Sequence, residues 1–68
     1  MSRKPADVEY RDFSAMFVYE QTGSIQAAMD NISRHRTNFY SLQTRHTNRM
    51  EVEKGYADRF DEFKKRYL

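Results

Sequence analysis

The sequence predicts an all-α fold, a small helix-turn-helix bundle of three short helices plus a C-terminal amphipathic helix, in a single helical domain spanning residues 1–68. Three observations carry that expectation. Apolar residues recur at three- and four-residue steps, the strict apolar-polar alternation of a half-buried strand is absent, and Gly23-Ser24 supplies a helix stop and a helix start at one point.

The first helix is expected to begin near Pro5, whose fixed φ suits a first turn, with Asp7 and Glu9 complementing the helix dipole. Phe13, Met16 and Phe17 form its buried face. Gly23 can adopt the left-handed conformation that ends a helix, and the Ser24 hydroxyl can cap the next. Ile25, Ala28, Met29 and Ile32 then share one face of a short second helix. Asn31, Ser33 and Thr37 all offer turn or cap chemistry before a third helix that takes Phe39 and Leu42 as core contacts. The helix-turn-helix accordingly spans residues 24–46. From 51 to 67, Val52, Tyr56, Phe60, Phe63 and Tyr67 follow at steps of four, four, three and four, which makes a last amphipathic helix, with Gly55 off its apolar face.

A chain of 68 residues buries only roughly 60% of the surface its unfolded form exposes. A core of that size rarely supplies more than about 3 to 5 kcal/mol of net stability, so a partner subunit has room to contribute. Charged residues at 32% and a mean hydropathy of −1.03 make the chain polar, but 15% aromatics are too many for a disordered tail. The absence of cysteine excludes disulfides and thiolate metal sites. No apolar run is long enough to span a bilayer, and the N-terminus lacks the apolar segment of a signal peptide, so a soluble protein with no membrane partner, cytoplasmic by default, is expected.

Net charge is only +2, but its distribution is uneven. Asp7, Glu9, Asp12, Glu20 and Asp30 make the first part acidic. From Asn31 to Met50 come Arg34, Arg36, Arg45 and Arg49, with His35 and His46 and no acid at all. A helix that is merely soluble usually interleaves acids with its bases to gain pairs at four-residue spacing. The segregation points to a polyanion partner.

Phe17-Val18 with Glu20, Gly23-Ser24 and Ala27-Ala28 resembles the N-terminal helix-turn-helix of LysR-type regulators, and Gly23, Ile25, the alanine pair and Phe39-Tyr40 are similar to the Fis-type element. The likeness covers residues 13–43. Its physical sense is that small residues, here Ala27 and Ala28, let one helix cross another steeply. Met29, Arg34 and Gln43 depart from the pattern, Arg34 standing where those families carry Ile or Val. Nothing after Gln43 follows the LysR continuation, so a full regulator of that type is excluded.

The resemblance implies double-stranded DNA as partner and transcription regulation as role. It places His35, Arg36, Thr37, Tyr40, Ser41 and Thr44 on the outward face of the third helix. Arg36 can give two hydrogen bonds to the O6/N7 edge of guanine, while Arg45 and Arg49, one turn apart, suit phosphates. The C-terminal stripe has two uses, as the fourth element of the core or as a homodimer seam setting two recognition helices about 34 Å apart.

Other classes fare less well. No glycine-rich phosphate loop is present, and Asp58, Asp61 and Glu62 lie among lysines, so no enzyme and no cofactor is expected. His35 and His46 are not at the one-turn spacing of a helical metal pair, so no metal is expected. The alternative is a helical protein-protein interaction module docking through Phe or Tyr of the last helix. RNA binding ranks last, because no RNA-binding signature accompanies the arginines.

Overall fold

A computed structural model describes the backbone of residues 5–67 and side chains from Val8 to Arg66. The proposed dipole role of Asp7 and the packing of Tyr67 concern side chains outside the described residues. All regular structure is helical: α1 (Pro5–Thr22), α2 (Ile25–Asn31), a 3-10 turn (Arg36–Asn38), α3 (Phe39–Val52) and α4 (Lys54–Tyr67).

Gly23 and Ser24 behave as their chemistry requires. Gly23 takes φ of 69° and its N–H donates to the Tyr19 carbonyl at 2.7 Å, closing α1. The Ser24 hydroxyl accepts from the Ala27 N–H at 3.1 Å, opening α2. Ala28 and Met29 of α2 are wholly buried against α1, with Ile25 and Ile32 at the margin of the core.

α2 ends differently from α1. The Ser33 N–H donates to the Asp30 carbonyl and the Arg34 N–H to that of Met29, at 3.1 and 3.0 Å, with Ser33 in the left-handed region at φ of 56°. This is a Schellman closure with serine where glycine is usual, and Arg34 takes the position whose apolar stem normally covers the helix end. Arg34 and Met29 line the same cleft, so an arginine stem lies where the resembling families carry an aliphatic side chain.

Phe13 sits at the centre of the core. Its ring lies 5.0, 5.1 and 5.5 Å from those of Tyr56, Phe60 and Phe63, within the range of favourable aromatic pairs. Tyr19 packs on Phe39 at 4.9 Å, joining α1 to the start of α3, and Leu42 completes that layer. The last stripe is thus partly as expected: Tyr56, Phe60 and Phe63 are buried. Val52 is not part of it. α3 runs on past the expected end at 46, as far as Val52, which is 72% exposed. Glu53 alone, extended at φ −106° and ψ 107°, separates α3 from α4. Its N–H closes α3 on the Arg49 carbonyl at 2.9 Å, and its own carbonyl accepts from the Tyr56 N–H at 3.1 Å. The apolar period continued across this break because Val52 and Tyr56 happen to keep a four-residue step.

Candidate nucleic-acid interface

The acids of α1 and the arginines of α3, far apart in sequence, meet in space. Glu9 and Asp12 are three apart and so share a helical face, as Arg45 and Arg49 do at four apart. Arg45 grips fully buried Asp12 side-on, Nε donating at 2.8 Å and Nη2 at 2.6 Å. Arg49 donates through Nη2 to Glu9 at 3.2 Å and pairs with Glu53 of the helix break. Its guanidinium also lies over the Tyr56 ring, 4.4 Å from the centroid. Arg59 of α4 closes the group, donating to Glu9 through Nε at 2.9 Å and Nη2 at 2.8 Å.

These pairs favour the charged forms on both sides. The hydrogen bond to Asp12 raises the Arg45 pKa, that to Glu53 raises Arg49, and that to Glu9 raises Arg59, while Arg49 in turn lowers the Glu53 carboxyl. Part of the positive field read from the acid-free stretch is therefore answered within the molecule. Arg45 and Arg49 are occupied by carboxylates and do not form a free pair of phosphate clamps.

His46 is also internal. It is buried between Phe60, in edge contact at 4.8 Å, and Tyr56, whose hydroxyl meets Nδ1 at 2.7 Å. Burial lowers the His46 pKa, and burial pushes the Tyr56 phenol up to about 12. Among the described residues no group of three His, Cys, Asp or Glu side chains is placed to hold a metal ion.

The six remaining residues assigned to the outward face are all exposed, and they form two groups. At the helix entrance, His35 Nδ1 accepts from the Thr37 N–H at 3.2 Å and meets the Thr37 hydroxyl at 2.9 Å. With Nδ1 accepting, a neutral ring carries its proton on Nε2. Arg36 has no ion-pair partner among the described residues. On α3 itself, Phe39, Leu42 and His46 face inward, so residues near 180° from them face out. That outward arc is centred on Thr44 and holds Tyr40, Ser41, Thr47 and Asn48, with Tyr40 65% exposed.

Two residues of this surface, Thr47 and Asn48, were missed in the sequence although the helical period points to them. The whole arc carries hydrogen-bonding side chains and no acid until Glu51. Compared with family models, with curated proteins and with solved structures, the chain finds no match.

Proposed function

We propose that this protein binds double-stranded DNA as a helix-turn-helix module, laying the first turns of α3 in the major groove, and that it serves as a small transcriptional regulator. One observation carries the reading: the exposed arc of α3, acid-free until Glu51, with Arg36 at its entrance. Base edges are read by donors and acceptors at the N-terminal end of such a helix. Arg36 suits guanine, while Tyr40, Ser41 and Thr44 offer hydroxyls that both donate and accept.

The competing reading, a protein-docking or homodimer surface built from aromatic residues of the last helix, is disfavoured by burial. Tyr56, Phe60 and Phe63 are consumed in the core of one chain. No described helix is long and apolar enough to cross a membrane.

Gel-shift titration against a pool of random duplexes tests the proposal. Arg36→Ala should weaken binding about tenfold, within the roughly 1–3 kcal/mol expected of a guanine contact, with its helical circular dichroism intact. Val52→Thr, a neutral change at an exposed site, should bind as the parent does. Equal affinity of Arg36→Ala and parent, or no shift by the parent at physiological salt, would reject the reading.

A further inference from the structure

A cleft of about 290 Å³ opens between the end of α2 and the start of α3, and three of its walls are arginines: Arg11, Arg34 and Arg45. Asn38 and Ser41 add polar groups, and Met29 lies at its apolar base. Among the described residues, only Arg45 of the three pairs with a carboxylate. Asp12 engages its Nε and Nη2 and leaves Nη1 unused. Arg11 and Arg34 are half-buried and have no ion-pair partner among the described residues. Among the described residues, three guanidinium groups thus share one carboxylate, that of Asp12.

A buried amine can shed its proton to relieve such crowding, but a guanidinium cannot. Water at the cleft mouth relieves part of this repulsion, and an anion seated among the guanidinium groups relieves it directly. Guanidinium forks match tetrahedral oxyanions, giving paired N–H···O bonds, and the Asn38 amide and Ser41 hydroxyl add neutral donors.

We propose that this cleft is an oxyanion site that seats a phosphate group. Asn38 and Ser41 stand at the entrance of α3, so a bound phosphate lies beside the reading arc. In DNA such contacts fix the register of the helix in the groove. That the phosphate belongs to a nucleic-acid backbone rests on the DNA-binding reading; the anion site itself does not. On either source, the phosphate contacts move from Arg45 and Arg49 to Arg11 and Arg34, with Arg45 shared.

The test has two arms. In the first, inorganic phosphate is titrated into the uniformly 15N-labelled chain at constant ionic strength, with saturable amide shifts at Arg34, Asn38 and Ser41 expected. Those shifts should require at least fivefold more phosphate in Arg34→Gln. In the second, duplex DNA affinity is measured across salt for the parent, Arg11→Gln, Arg34→Gln and Arg34→Lys. The slope of log affinity against log salt should drop by about one for each glutamine variant and be retained by the lysine variant. Both responses together assign the cleft to backbone phosphate. Saturable phosphate shifts in a parent chain that binds no duplex support the cleft as the site of a free phosphorylated ligand and reject the DNA reading. Duplex binding with unchanged slopes, and no saturable phosphate shift in the parent, overturns the cleft and leaves the DNA reading standing. The phosphate arm on the parent needs no variant to fold.

Discussion

Removing the Arg45 side chain should unfold much of the protein, although nearly half of that side chain is in water. The cost falls on its partner. Asp12 is fully buried, and Arg45 supplies the two hydrogen bonds, at 2.8 and 2.6 Å, that compensate its charge. Each bond to a charged group contributes about 1.5–3 kcal/mol, and breaking a buried pair by deleting one partner costs about 3–5 kcal/mol. A core of this size rarely supplies more than that in total, so Arg45→Ala should be largely unfolded at 25 °C. The reverse deletion is milder, because Arg45 is 46% exposed and can turn to water. Asp12→Asn keeps one acceptor for Arg45 and should cost about 1–2 kcal/mol. Asp12→Leu combined with Arg45→Met leaves no buried charge and should be at least 2 kcal/mol more stable than Arg45→Ala. Urea melts followed by circular dichroism at 222 nm give these values. Arg45→Ala within about 1 kcal/mol of the parent would refute the buried-pair argument, as would Asp12→Asn being the worse of the two.

Three further outcomes follow from Ser33, His46 and Tyr56. Ser33→Gly should stabilise the chain by about 1 kcal/mol, since Ser33 holds φ of 56° and is exposed; a lower urea midpoint would contradict it. His46 has its pKa lowered chiefly by burial, opposed by Asp12 and Glu20 and aided by Lys64, so the unfolded chain takes up the proton first. The stability it contributes is complete above about 6.5 and is lost as pH falls through the lower folded value, and an NMR titration midpoint for His46 at or above 6.5 would be inconsistent with this. Tyr56 moves the other way: its contribution is present below about 10 and lost as pH rises through about 12, so ultraviolet titration should find one phenol ionising later than the others.

How much of this could be read from the residues varied with the range of the interaction. Gly23 and Ser24 were legible because each acts on a carbonyl or N–H a few residues away. Ala28, Met29, Phe39 and Leu42 were legible because the helical period alone sorts them inward. The end of α3 was not, since the step from Val52 to Tyr56 imitates a continuous stripe across the break at Glu53. Arg45 and Arg49 were misread for a different reason. Within its own segment the acid-free stretch has no counter-charge, because its partners stand 33 and 40 residues earlier on α1. The acidic first helix and the basic third are complementary surfaces of one interface, and both halves of that pattern were visible. What joins them is a tertiary contact, which neither half specifies by itself. Arg34 shows a milder case: it follows a turn closed by Ser33 in the left-handed region and lines the cleft at the end of α2 with Met29.

On the proposed function α3 turns its acid-free arc to DNA, while Arg45 and Arg49 tie it to Asp12 and Glu9 of α1. Amide chemical-shift mapping with a short duplex tests this most directly. Shifts should cluster at Arg36, Thr37, Tyr40, Ser41, Thr44, Thr47 and Asn48, and leave Asp58, Glu62 and Lys65 of α4 unmoved. A saturating titration that shifts α4 instead of α3, or no shift at any duplex concentration, would contradict it.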